Sequence, residues 1–488
     1  MKEGTPVNRW LVLVLVCVAQ FMVVLDATIV NVALPSIQHG LHFSATSLQW
    51  VVNSYGLVFG GFLLLGGRAA DLIGRQRLFV AGVVVFTLAS LLNGIAPNAA
   101  TLVGGRALQG LGAALVSPAA LSIVMTTFAE GRERTKALGI WSSIAAGGGA
   151  VGLVLGGLLT DTLSWRWVFF INLPVGIAAV LAAIRYIPES RAEKRPDTAD
   201  IGGAVSVTAG LLVLVFAIVK TGAYGWTSGR TLGLLALAVA LLVAFVVIEL
   251  RSKAPLIRLG IFRARSLTSS NVAMLFVISG LFAMFFFASI YVQEILGYSP
   301  LKAGLAFVPI TAGIVIGAGL AQQLIRMLGV RRVPLLGIAL AATGLVLLGT
   351  IPTHGTYLPD LLPGLMLVSI GMGLTFVPLT LIATTNIHPE DAGLASGIFN
   401  TSQQVGGAIG LAALSTLAAS RTSHVLGGIA NPSSDRHAAA LVDGFQAAFL
   451  AGAGLMVLAA VLVAVLVRKS DVEQIHAAEE SEPVPVAA

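Results

Sequence analysis

The sequence holds one cysteine in 488 residues, Cys17, so an intrachain disulfide and a thiolate metal cluster are both excluded. Cys17 lies in an apolar run and reads as a small packing residue. Charge is scarce too. Asp, Glu, Lys and Arg make up 10% of the chain, against about 25% in a typical soluble domain. Such a chain cannot cover a water-facing surface, and with 57% hydrophobic residues and a mean hydropathy of +0.93 it reads as an integral membrane protein. No P-loop is present, so the chain has no ATP engine of its own. Gly147, Gly149 and Gly152 satisfy the G-x-G-x-x-G spacing, but no strand precedes them and no acid follows about 20 residues on, so they do not mark a dinucleotide site. The seven histidines fall mostly in loops, which leaves no metal site. "NTS" at 400–402 falls in an apolar stretch and carries no meaning as a glycosylation sequon.

What is present is a series of long apolar runs. A span needs about 20 mostly apolar residues, and fourteen candidates occur, at about 11–34, 48–66, 78–96, 101–126, 137–160, 167–187, 201–220, 231–250, 268–293, 303–325, 333–351, 359–383, 393–419 and 443–467. The first reads as a span rather than a cleaved signal, because it is too long and no small-residue cleavage pattern follows. With the N-terminus inside, 22 Lys and Arg fall in inside segments and 6 in outside ones. This asymmetry predicts that both termini are cytoplasmic. It also explains the net charge of +7 as a topology signal, so nucleic acid is not an expected partner.

A repeat supports this organisation. Residues 137–153 match 395–411 at eight of 17 positions, which pairs the fifth span with the thirteenth. That pairing predicts an all-α membrane fold of two six-span bundles, 1–187 and 266–469. A linker with two inserted spans (188–265) lies between them, and a disordered tail (470–488) follows. Duplicated bundles are a common secondary-transporter plan.

"VVLDATIVNVALP" (23–35) places Asp26 inside the first span, where a charge costs about 3 kcal/mol or more. Asp26 precedes Pro35 by nine residues and Arg106 follows Asn98 by eight, which puts both about 12–13 Å below one membrane face at 1.5 Å per residue. They are expected to share one polar site, either as a structural pair or as a proton-handling one. The proton affinity of a carboxylate depends on its distance from a cation and on its hydration, so a change in geometry would change it. Polar candidates for a substrate cavity at mid-depth are Asn31, Asn53, Tyr55, Gln109, Asn400, Gln403 and Gln404, each of which could equally be a helix–helix contact. Gly148, Gly152, Gly156 and Gly157 form a small-residue face for close helix approach. In "GGRAADLIGRQRL" (66–78), Gly67 and Gly74 permit tight backbone geometry, and Asp71 could pair with Arg75 or Arg77 to latch one conformation.

This turn resembles the loop signature of the major facilitator superfamily, and "RALQGLGAA" (106–114) resembles its fourth-span signature. "LDATIVNVALP" (25–35), "WRWVFFINLPVG" (165–176), "LGYSPLKAGLAFVP" (296–309) and "GLASGIFNTSQQVGGAIG" (393–410) resemble its fourteen-span drug:proton antiporter branch of multidrug exporters. The resemblance implies proton coupling at Asp26 and Arg106, and a conformational latch at Gly67, Asp71, Gly74 and Arg75. It implies export of amphipathic drugs, antibiotics or secondary metabolites across a bacterial cytoplasmic membrane. The chain would work as a monomer, driven by the proton gradient and without a cofactor. One departure stands out: "GLVLGG" (152–157) has Leu153 where the branch usually has Pro. The alternatives are a proton-coupled importer or facilitator of the same fold and, from another class, a membrane enzyme or non-transporting sensor. No nucleophile or cofactor motif in the spans supports an enzyme.

Overall fold

A computed structural model describes residues 8–128, 131–190, 200–252, 255–384, 387, 392–427 and 433–467. The side chains of Ala45, Asp71, Thr135, Ser142, Ser143, Ala145, Ala146, Ala392 and Gly393 are outside that description. Among the described residues the regular structure is helical, and eleven helical stretches are long and apolar enough to cross a membrane. The long helices are α1 (Arg9–Leu41), α2 (Trp50–Ile73), α3 (Arg75–Gly94), α4 (Ala99–Thr127), α5 (Arg132–Thr162), α6 (Asn172–Tyr186), α7 (Ile201–Tyr224), α8 (Gly229–Arg251), α9 (Arg265–Ile290), α10 (Val308–Leu328), α11 (Arg332–Leu348), α12 (Leu362–Thr384), α13 (Ala392–Leu426) and α14 (Ser434–Leu466). A π-helical turn, Tyr291–Ile295, continues α9, and a short helix, Pro300–Ala306, precedes α10.

Polar residues punctuate the apolar runs. Asn8 caps α1 by accepting from Trp10 N at 3.0 Å, and Asn98 caps α4 by accepting from Thr101 N at 2.9 Å. Pro35 does not end α1, although the sequence reading used it as the outer limit. The helix runs on to Leu41 and is closed by His42, at φ 54°, whose N–H returns to Gln38 O. Proline costs a helix one hydrogen bond, and tight packing on either side, with Leu34 and Ile37 fully buried, holds the helix together across it.

The chain packs as two compact units, Met1–Ile257 with Ser289–Val308, and Arg258–Ala288 with Pro309–Ala488. Each repeats one internal contact. In the first, the glycine face of α5 lies on α1. A Cβ at Gly148 would sit 3.1 Å from Val24 Cγ1, one at Gly152 3.0 Å from Leu25 O, and one at Gly156 2.5 Å from Ile29 O. In the second unit α13 lies on α9 in the same way, with Gly406 against Leu275 O and Gly410 against Ser279. The hydroxyl patterns match too. Thr28 Oγ1 donates to Val24 O in α1, and Ser279 Oγ donates to Leu275 O in α9. In this register the buried Val277 is the counterpart of Asp26. Aligning the in-helix prolines Pro118 and Pro378 makes Met366 the counterpart of Arg106. The shared architecture therefore forms without charges at these two positions.

The α5 face makes a graded prediction. Gly156→Ala drives a methyl group into a backbone carbonyl and is expected to cost about 1–3 kcal/mol through overpacking. Gly147, where a Cβ meets nothing within 4 Å, should tolerate alanine with no loss. Thermal unfolding of the two variants in detergent, side by side, checks this.

Candidate functional site

Four helices of the first unit and the start of a fifth converge on Asp26. Asp26 is 0% exposed and Arg106 1% exposed, so neither charge reaches solvent. Arg106 Nη1 donates directly to Asp26 Oδ2. The same nitrogen donates to Gln109 Oε1 at 2.8 Å, and Arg106 Nε donates to Val51 O of α2 at 2.9 Å. Gln109 follows Arg106 by three residues on α4, so both side chains share a helix face. Its amide donates to Asp26 Oδ1 at 2.7 Å and to Ser90 Oγ of α3 at 2.8 Å. Asn172, the first residue of α6, donates to Asp26 Oδ1 at 3.0 Å and to Ser90 Oγ at 3.3 Å. Asn93 Nδ2 donates to Gln109 Oε1 at 2.7 Å. The Tyr55 ring lies 4.3 Å under the guanidinium, and Phe169 lies 5.9 Å away.

The chemistry of this arrangement is asymmetric. The carboxylate accepts from one charged and two neutral donors, as a buried anion requires. The guanidinium has two neutral acceptors besides Asp26, Val51 O and Gln109 Oε1, and the first of these makes no contact with Asp26. A proton arriving on Asp26 would therefore release the carboxyl while leaving Arg106 held in place. Asn93 Oδ1 is buried without a hydrogen-bond partner, so the polar cluster has an acceptor to spare.

The other candidates are placed as follows. Asn31 is half-buried and donates to Ala27 O and Thr28 O of its own helix. Asn53 is buried and donates to Gln49 Oε1 at 3.5 Å, one turn away. Asn400 is exposed, and Gln403 and Gln404 are half-buried, all on α13 in the second unit. Gly157 packs on Pro300 and Leu301 of the short Pro300–Ala306 helix, and Gly304 of that helix packs on the backbone of Leu153 and Val154. Leu153 is 2% exposed, and α5 runs past it without interruption.

At the opposite end of α2, the turn to α3 is a single residue. Gly74 has φ +116°, a conformation that only glycine adopts without strain. Glu189, just beyond α6, fills the space beside it. Its Oε1 accepts from Gln76 N at 3.3 Å, and its Oε2 lies 3.4 Å from Arg77 Nε. Gln76 Nε2 reciprocates by donating to Ala183 O at 3.0 Å, and Arg75 N donates to Ser190 O at 3.0 Å. An acid at the first turn of α3 also suits the helix dipole. Gly67 lies 3.8 Å from Pro118 Cβ as a Cβ would meet it, and the Asp71 side chain is outside the described ones.

The sequence reading missed Ser90, Asn93, Asn172 and Glu189 as partners. Asn172 was visible as the lone amide in "WRWVFFINLPVG", and Glu189 as the first acid after the sixth apolar run. Asn172→Ala removes a donor from both Asp26 and Ser90. It is expected to cost about 1–3 kcal/mol, the penalty for an unsatisfied buried group. Arg106→Ala, which strands a buried carboxylate, should cost about 3–5 kcal/mol. Thermal unfolding should rank Arg106→Ala well below Asn172→Ala, and both below the unaltered chain.

Comparison with known proteins agrees with this architecture. The model of the Major Facilitator Superfamily matches residues 16–411. The chain is 40% identical over 472 residues to a puromycin resistance protein of Streptomyces alboniger, covering 95% of this chain and 92% of the relative. It is 42% identical over 416 residues to a cephamycin export protein of Amycolatopsis lactamdurans, covering 84% and 85%. Among solved structures, the POT family transporter PepTSo superposes with a TM-score of 0.68 at 16% identity, covering 94% of this chain and 98% of that one. A bacterial homologue of the lysosomal transporter Spinster superposes with a TM-score of 0.67 at 15% identity, covering 94% and 97%. By sequence match and fold together, the chain belongs to the Major Facilitator Superfamily of membrane transporters.

Proposed function

We propose that this transporter exports amphipathic small molecules, of the antibiotic or secondary-metabolite kind, in exchange for protons. The carrying observation is the wholly buried Asp26–Arg106 pair, whose guanidinium has neutral acceptors of its own. The relatives named for puromycin resistance and cephamycin export support the direction and the substrate class. Asp26 takes the proton, Arg106 and the amides of Gln109 and Asn172 set how strongly it is held, and alternating access carries it across. The turn with Gly67, Asp71, Gly74, Arg75 and Arg77 serves as the conformational latch, with Glu189 as one of its partners. Asn31, Asn53, Tyr55, Asn400, Gln403 and Gln404 remain candidates for substrate contact. One charge crossing 100 mV yields about 2.3 kcal/mol, and one pH unit adds about 1.4 kcal/mol. Together these sustain a gradient of roughly several hundred-fold for a neutral substrate exchanged one-for-one.

The topology belongs to the same reading. The eleven apolar helical stretches, with α5, α11 and α13 as further crossings, make fourteen spans. Residues 1–187 and 266–469 are the two bundles, α7 and α8 are the inserted pair, and both termini lie on the cytoplasmic side of a bacterial inner membrane. The transporter acts as a monomer and needs no cofactor.

The test is transport into proteoliposomes under an imposed pH gradient, with puromycin and neutral or monocationic amphiphiles as solutes. The unaltered chain should accumulate solute against its gradient, and Asp26→Asn should only equilibrate it. Equal, gradient-independent flux through both would make the chain a facilitator and Asp26 a structural residue.

A further inference from the structure

The transport reading leaves Tyr55 as a candidate for substrate contact, but its setting gives it a further part. Tyr55 is 5% exposed, and the centre of its ring lies 4.3 Å from Arg106 Cζ. Its position is fixed from α1, α2 and α4. The hydroxyl donates to Val23 O of α1 at 3.4 Å, and Phe59, one turn on along α2, stacks beside the ring with centres 6.0 Å apart. Gly110 of α4 lies against Tyr55 O, where a Cβ would collide with the carbonyl. Gly110 follows Arg106 by four residues and so shares its face of α4. The close approach at Gly110 therefore lays the Arg106 side chain on α2. There Val51 O accepts from its Nε at 2.9 Å, and the Tyr55 ring lies under its guanidinium.

Protonation of Asp26 would leave one buried charge where there had been two. The carboxyl becomes neutral, while the guanidinium, on a residue 1% exposed, stays a cation. A buried charge that has lost its partner is strongly destabilising. Gln109 is not independent support, since its amide is tied to Asp26 Oδ1 at 2.7 Å. Val51 O is one neutral acceptor for a group with five N–H donors. The face of an aromatic ring is negative, and it attracts a cation most strongly where water is excluded. Phe169 offers a second face, but at 5.9 Å it stands close to the limit of about 6 Å for this attraction. Among the described residues the Tyr55 ring makes no hydrogen bond to Asp26, so its hold on Arg106 outlasts the change in the carboxyl.

We propose that Tyr55 is a positioning residue for the proton site. Its ring holds the Arg106 guanidinium in place while Asp26 is protonated, ready to recapture the carboxylate when the proton leaves. The inference rests on the reading of Asp26 as the proton carrier and deepens it, by giving the cation a holder in the state where its anion is gone.

The test compares Tyr55→Phe, which keeps the negative ring face, with the same substitution made with trifluorophenylalanine, which keeps the shape and removes that face. Thermal unfolding of the purified full-length chain is followed in three backgrounds. These are the unaltered chain, Asp26→Asn as a neutral stand-in for the protonated carboxyl, and Asp26→Asn with Arg106→Met, the residue type that the second unit has at Met366. Fluorination should lower the unfolding midpoint most in Asp26→Asn. It should lower it less in the unaltered chain, where the carboxylate shares the cation, and not at all without the guanidinium. A fall in Asp26→Asn no larger than in the unaltered chain, or one that persists without Arg106, would make Tyr55 a packing residue and overturn the proposal. If the third background does not fold, the first two alone decide it. Unfolding needs no transport, so this test and the proteoliposome test of the exporter reading can fail separately.

Discussion

A guanidinium and a carboxylate removed from water must find every one of their partners inside the protein, and this requirement organises the first unit. Burying an ion pair is expensive even when the two charges touch, because desolvation can exceed their attraction. Here the deficit is met by neutral groups from other helices: Val51 O from α2, Ser90 and Asn93 from α3, Gln109 from α4 and Asn172 from α6. Each of these groups is useful only if its helix sits at the right height. The polar cluster therefore fixes the mutual register of these helices more narrowly than apolar packing would.

The opposite side of α1 is held by different physics. Asp26 faces the polar cluster, while Val24, Leu25, Thr28 and Ile29 receive the glycine face of α5. Close backbone approach there relies on dispersion and shape, which tolerate no added methyl group. The second unit uses the same glycine contact, α13 on α9, around a valine where the first has its aspartate. The packing is thus the conserved half of the duplicated design within this chain, and the charges are an addition to it. An addition that the architecture does not need is most simply understood as serving function.

Much of this was legible because charge is so rare here. In apolar runs an acid and a base stand out, and a constant rise per residue puts Asp26 and Arg106 at one level. Gln109 follows from its place three residues beyond Arg106. Ser90, Asn93 and Asn172 did not stand out, because small polar residues near helix ends are ordinary and only the tertiary arrangement aims them at Asp26. Pro35 misled in the other direction: its usual meaning as a helix boundary was overridden by packing along α1. Glu189 lay at the head of a stretch read as linker, and its role depends on a contact with α3 more than 100 residues earlier.

The central claim is that substrate binding and the proton on Asp26 are linked. It is tested most directly by adding puromycin to the purified, weakly buffered protein and following proton release with a pH-sensitive dye. The account predicts release of about one proton per chain, in keeping with one titrating carboxyl, and none from Asp26→Asn under conditions where puromycin still binds. Release of the same size from the variant, or none from the unaltered chain despite binding, would contradict it.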